Sequence, residues 1–123
     1  MNKKSILLVD DNLMVLRNLS KLLEKHDFKT ISLRSAEEAI EFLINNIDIE
    51  LDLIITDYQM LSINGLEFAE SIKNDLNYKD IPIILYTQLP NISIGGRFDI
   101  FNKIIYKTSD IQTLLKEIKL FVK

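Results

Sequence analysis

The stretch ILLVDDN, Ile6 to Asn12, sets four apolar residues directly before two aspartates. A run of Ile, Leu and Val without polar alternation is how a strand covered on both faces reads. Such strands belong to parallel sheets with helices on either side. Two adjacent carboxylates at the end of such a strand repel each other, and one is pushed towards protonation unless a cation joins them.

Similar runs recur along the chain. Besides Ser5–Val9 they are Thr30–Leu33, Leu51–Thr56, Ile81–Tyr86 and Lys103–Tyr106. Amphipathic segments fall between them. Val15, Leu19, Leu22 and Leu23 make one apolar stripe at helical spacing. Ala36, Ala39, Ile40 and Leu43 make a second, opened by Ser35 and Glu38 in the pattern of a capping box. Gly65, Phe68, Ala69 and Ile72 make a third. Ile111, Leu114, Leu115 and Ile118 make the last, with Ser109 and Gln112 as a second expected capping box. The segment before Lys103 differs: it carries Pro90 and the pair Gly95-Gly96, and glycine costs about 1 kcal/mol against alanine inside a helix. A short or irregular fourth helix is expected there.

Strand–helix alternation implies right-handed crossovers and a doubly wound α/β fold. The expectation is a flavodoxin-like five-stranded parallel sheet in the order 2-1-3-4-5 with five helices. Residues 1–123 read as a single domain.

Composition narrows the function. The chain is 47% hydrophobic and 27% charged, ordinary for a globular protein. It has no cysteine, which excludes disulfides and thiolate metal sites. Its net charge is −3 and its lysines are scattered among acids, so direct nucleic-acid binding is not expected. No apolar run approaches the roughly 20 residues needed to cross a bilayer. A soluble, cytoplasmic protein is expected.

The polar residues at strand ends carry the chemistry. Asp10 and Asp11 follow strand 1, Asp57 follows strand 3, Thr87 follows strand 4 and Lys107 follows strand 5. In a parallel sheet these ends share one edge, where open α/β sheets bind ligands. Three converging carboxylates call for a divalent cation, and oxygen ligands without His or Cys suit Mg²⁺. The lysine adds a point charge and the threonine a hydroxyl donor. These are parts for handling a phosphoryl group, with a carboxylate available as nucleophile. Taken singly, each residue has a plainer role. An aspartate after a strand is commonly a turn residue or a helix cap, and Asp11 or Asn12 could simply cap the first helix. The coincidence of five such residues on one edge is what argues for a site. His26, the only histidine, sits at the polar end of the first helix and reads as a solvated residue.

With these residues in view, the chain resembles the receiver domain of two-component response regulators, the CheY-like family. The likeness rests on LLVDDN, LIITDYQMLSINGLEF, IPIILYT and IIYK, in that order, and covers essentially the whole chain. It implies that Asp57 takes a phosphoryl group from a histidine kinase or a phosphotransfer protein. It implies that Asp11 binds Mg²⁺ (or Mn²⁺) directly, Asp10 through water, and Gln59 through its backbone carbonyl. Thr87 and Lys107 would engage the phosphoryl oxygens, and Gly65 fits the turn before the third helix. Phosphorylation adds roughly −2 of charge. The resemblance implies that this charge biases the face formed by strand 4, helix 4, strand 5 and helix 5 towards an unknown downstream protein.

Several positions depart from the family pattern. Thr108 follows Lys107 where proline is usual, so a trans bond is expected. The aromatic switch position holds Ile104, and Tyr106 lies two residues on, on the same sheet face by period 2. Tyr106 is expected to take over part of that role. Gln88 stands where a small residue is usual; it either shields the phosphoryl group or points outward. Leu61 replaces a common loop proline. With its altered fourth helix, the chain is expected to be a monomer or weak dimer.

The expected function is a phosphoacceptor switch, not an enzyme with a separate substrate, that assists its own phosphotransfer and autodephosphorylation. Two alternatives stand beside it: a pseudo-receiver that binds protein without phosphorylation, and a metal-dependent phosphohydrolase using Asp57. No output module is expected within residues 1–123. The cognate kinase, the pathway, and whether the domain stands alone or heads a longer protein are left open.

Overall fold

The structure, a computed structural model, describes residues 3–88 and 97–122. Five strands form one sheet: β1 (Ser5–Val9), β2 (Lys29–Leu33), β3 (Leu53–Thr56), β4 (Ile83–Thr87) and β5 (Lys103–Tyr106). Their order is β2-β1-β3-β4-β5 and every neighbouring pair is parallel. This is the expected doubly wound topology. The helices are α1 (Leu13–Lys25), α2 (Ala36–Asn45), α3 (Gly65–Lys73) and α4 (Ile111–Phe121).

The described residues thus hold four α-helices where five were expected. Between β4 and β5 the described residues hold a 3₁₀ turn at Arg97–Ile100, in keeping with the expected short or irregular element. Residues 89–96, with Pro90 and the glycine pair, lie outside the described residues.

Every residue of β1, β3 and β4 is buried, as their uninterrupted apolar character required. Alternate residues feed two cores. Leu8, Ile55, Ile84 and Ile105 pack with α1 and α4 on one face. Leu7, Val9, Ile54 and Leu85 pack with α2 and α3 on the other. β3 begins later than expected because Asp52 lies outside the strand; its carboxylate accepts the Ser5 N–H at 2.8 Å. β4 begins after Pro82, which has no N–H to give the ladder, and runs on to include Thr87.

The caps fix where each helix starts. Asn12 caps α1, accepting from the N–H groups of Met14 and Val15. Ser35 caps α2 as expected, but Glu38 reaches back to the N–H of Arg34 rather than to that of Ser35. The expected Ser109–Gln112 box is not formed. Asp110 is the cap of α4 instead, its carboxylate accepting from Gln112 N–H at 2.9 Å. A charged acceptor one residue nearer the helix wins over the hydroxyl, helped by the helix dipole. A full capping box appears at Asn64 and Glu67, opening α3. His26 is exposed at the C-cap of α1, as its polar setting suggested.

Candidate functional site

The site follows from the register. Val9 pairs with Thr56 and Thr56 with Leu85, so the next residues, Asp10, Asp57 and Tyr86, emerge side by side at the sheet edge. Two backbone bonds carry the ladders that far. Asp57 N–H donates to Val9 C=O at 3.0 Å, and Lys107 N–H donates to Thr87 C=O at 2.8 Å. Four strand ends thereby meet at one place.

Asp10, Asp11 and Asp57 each bring a carboxylate oxygen within 4.8 Å of the others. Asp10 and Asp57 are buried, while Asp11 stands on the open side. Lys107 closes the group: its Nζ donates to Asp10 Oδ2 at 2.6 Å and to Asp57 Oδ2 at 3.1 Å. Its side chain is only 9% exposed, so this is an interior ion pair. Asp10 also accepts the Asn12 N–H at 2.9 Å, and Asp57 Oδ1 accepts the Tyr58 N–H at 2.7 Å.

Burial and charge compete here. Burial pushes the Asp10 carboxyl above its ordinary value, although Lys107 and the Asn12 N–H pull the other way. Burial opposes the Lys107 ammonium too, but the bonds and charges of Asp10 and Asp57 outweigh it and raise its pKa. The cluster is therefore short of positive charge. Three carboxylates against one ammonium leave a net negative pocket of hard oxygen donors, the donor set that a small divalent cation such as Mg²⁺ takes.

The remaining expected residues surround this cluster. Thr87 is buried at the end of β4. Gln59 is exposed in the loop two residues past Asp57. Gln88 is exposed and lines a cleft of about 240 Å³ together with Lys107, Tyr86, Asn18 and Ile111. Ile104 packs against the α2–α3 core, and Tyr106 is half-buried on β5, paired with Thr87. The Lys107–Thr108 bond is trans, as expected without proline. The structure therefore brings Asp10, Asp11, Asp57 and Lys107 together, with Thr87 on the adjoining strand. His26 is placed elsewhere, at the far end of α1.

The sequence placed Gly65 at the turn before the third helix, but did not reveal the contacts that it and the neighbouring rings make. Gly65 lies so close to the Asp57 carbonyl that a Cβ would overlap it, and its N–H donates to Tyr58 C=O at 2.8 Å. The start of α3 is thus locked to the turn that presents Asp57. Tyr58 stacks at 5.6 Å on Phe98, which lies 5.5 Å from Phe101, tying this turn to the 3₁₀ segment. Tyr86 lies under Lys107, its ring centroid 5.8 Å from Nζ. The N-x-x-E spacing of Asn64 and Glu67 could have revealed the α3 cap. The Tyr58–Phe98 and Tyr86–Lys107 contacts leave no local signal, because their partners are distant in sequence.

Comparison with known proteins bears on the fold and the family. A family model described as the response regulator receiver domain matches residues 6–119. The heme response regulator HssR of Staphylococcus haemolyticus is 35% identical over 81 residues, which are 66% of this chain and 34% of HssR. The chain thus matches about a third of the length of that relative. The polar-differentiation response regulator DivK of Brucella ovis is 32% identical over 84 residues, 68% of this chain and 66% of DivK. Among solved structures, TrrA of Thermotoga maritima in complex with Mg(2+)-BeF has a TM-score of 0.84 at 26% identity, covering 97% of this chain and 99% of TrrA. TrrA in complex with the histidine kinase ThkA has a TM-score of 0.83, again at 26% identity, covering 98% and 99%. The fold, the acidic strand ends and the match across residues 6–119 lead to one conclusion: the chain belongs to the family of response regulator receiver domains.

Proposed function

We propose that the chain is a Mg²⁺-dependent phosphoacceptor switch in which Asp57 receives the phosphoryl group. The observation that carries this reading is the Lys107 ammonium held by both Asp10 and Asp57 beside a third carboxylate, Asp11. An oxygen of Asp57 bonds to phosphorus as the bond to the donor's histidine nitrogen breaks, and the imidazole leaves with the electron pair. Lys107 is close enough to follow a phosphoryl oxygen, and a charge-assisted contact of that kind is among the stronger hydrogen bonds. Thr87 supplies a hydroxyl from the next strand. Asp10, Asp11, Asp57 and the Gln59 carbonyl are the groups that would hold the cation, with Asp10 acting through water. A bound divalent cation neutralises phosphoryl oxygens as charge develops on them. Attack of water on the acyl phosphate later returns the carboxylate and releases inorganic phosphate.

The donor we propose is a histidine kinase or a phosphotransfer protein, the kind of partner TrrA has in its complex with ThkA. The readout passes through Thr87, Ile104 and Tyr106 to the surface of β4, the 3₁₀ turn, β5 and α4, where a downstream protein binds. Tyr106 is assigned part of the switch because Ile104 has no ring to move. Loss of phosphorylation-dependent partner binding in Tyr106→Ala is the expected result. Gln88, on the rim of the cleft beside Lys107, is assigned control of water access, and Gln88→Ala should shorten the phosphoryl lifetime.

Incubation with Mg²⁺ and acetyl phosphate, followed by mass measurement, tests the whole reading. One phosphoryl adduct is expected, absent in Asp57→Asn. An adduct that persists in Asp57→Asn would sink the assignment.

A further inference from the structure

Tyr86 interrupts the aliphatic run Ile83–Leu85 at a particular height in the sheet. Continuing the β3–β4 register places it level with Asp57, where an aliphatic residue would have served the core equally well. On its other side Tyr86 pairs with Ile105. Lys107 lies two residues past Ile105, so period 2 puts it on the Tyr86 side of the sheet, one step nearer the edge. The ammonium consequently lies 5.8 Å from the ring centroid, within the range of about 6 Å over which a ring face attracts a cation.

The ring itself has little freedom. Tyr86 is 8% exposed and packed in the core between the sheet, α1 and α4. Lysine is the opposite case, a point charge on a flexible four-carbon stem. Lys107 and Tyr86 themselves form part of the wall of the open cleft that Asn18, Gln88 and Ile111 complete, and an unheld ammonium can swing off the ring and out into it. The two carboxylates hold Lys107 from one side only, and that hold weakens once a cation shares them.

We propose that Tyr86 is a positioning residue for Lys107: its ring face keeps the ammonium over Asp10 and Asp57 and out of the neighbouring cleft. This rests on the phosphoacceptor reading for its purpose, though not for its geometry. A lysine already in place meets the phosphoryl oxygen without a search, and the rate gains accordingly.

Limited acetylation of lysines with acetic anhydride, read by peptide mass mapping, tests the hold directly in the wild type, Tyr86→Phe, Tyr86→Leu and Tyr86→Met. Lys73, whose Nζ donates to the carbonyls of Lys79 and Ile81, is the internal gauge of intact folding. The Lys107-to-Lys73 labelling ratio should be the same in wild type and Tyr86→Phe. It should rise about three- to tenfold in the Leu and Met variants, as expected for losing a cation–π contact. Phosphorylation by acetyl phosphate should slow by a similar factor in those two and recover in Tyr86→Phe. An unchanged ratio in both aliphatic variants overturns the proposal. So does a Phe variant as impaired as Leu, since the hydroxyl rather than the ring would then matter. If the wild type takes no phosphoryl group, the phosphoacceptor reading falls and the labelling ratio still decides whether Tyr86 holds Lys107.

Discussion

Lys107 and Asp10 stand 97 residues apart in the chain, yet Nζ of one lies 2.6 Å from Oδ2 of the other, the lysine 9% and the aspartate 6% exposed at the side chain. A pair this buried is balanced between a large desolvation penalty and a large attraction. Removing one partner leaves the other charge uncompensated. Lys107→Met should therefore lower stability by about 3 kcal/mol without divalent cation, the scale for breaking a buried pair. Urea unfolding measures it. Added Mg²⁺ should restore much of the loss, because a cation held by the carboxylate cluster would offset the charge that Lys107 no longer balances.

Mg²⁺ should stabilise the wild type as well, since the three carboxylates are gathered only in the folded chain. At free Mg²⁺ a hundred times its dissociation constant the gain is about 2.7 kcal/mol. Thermal unfolding across a Mg²⁺ titration reads it. Asp11→Ala and Asp57→Ala should flatten the titration, whereas a variant at exposed Glu37 should leave it unchanged.

Gly65→Ala should disturb the site from outside it. The added methyl would overlap the Asp57 carbonyl and press on Tyr58 Cα at 2.9 Å, both backbone atoms with little room to yield. A loss of about 1–3 kcal/mol is expected, the usual range for forcing an extra methyl group into packed structure. Slower phosphorylation by acetyl phosphate should accompany it, because the displaced turn carries Asp57, the proposed acceptor.

Alkaline pH should loosen the opposite side of the sheet from α1. The Tyr78 hydroxyl donates to Leu43 C=O at 2.8 Å and is buried. Burial raises its pKa above the ordinary 10.0, with Asp75 and Asp48 adding to the effect. The folded protein therefore binds this proton more tightly than the unfolded chain. The stability it contributes is complete below pH 10 and fades as pH climbs through the raised folded value. Tyr78→Phe should cost about 1 kcal/mol at neutral pH, the typical net worth of one hydrogen bond. It should also remove this part of the alkaline decline in a plot of stability against pH.

The sheet was legible from sequence because its central strands are buried on both faces, which demands uninterrupted Ile, Leu and Val in β1, β3 and β4. The acidic cluster was legible for a related reason. Parallel strands send all their C-terminal ends to one edge, so residues just past each strand must meet. Helix starts were less secure. Ser109 and Asp110 both offer an oxygen, and only the local backbone decides that Asp110 caps α4. The pairing of Lys107 with Asp10 rather than with Asp57 alone, and the ring of Tyr86 beneath it, depend on strand register to within one residue. Alternation patterns do not supply that precision. Tyr86 was further hidden because its apolar body reads as one more core residue.

The placement of the tyrosines has an optical consequence. The chain has no tryptophan and four tyrosines, so its intrinsic fluorescence is theirs alone. Tyr58 follows Asp57 and stacks on Phe98, Tyr86 lies under Lys107, and Tyr106 pairs across the ladder with Thr87. Only Tyr78 is remote, fastened to the end of α2. Three of the four tyrosines therefore lie on the strand ends and turn that carry the acidic pocket, and a change in tyrosine emission offers a label-free readout of a cation or phosphoryl group binding there.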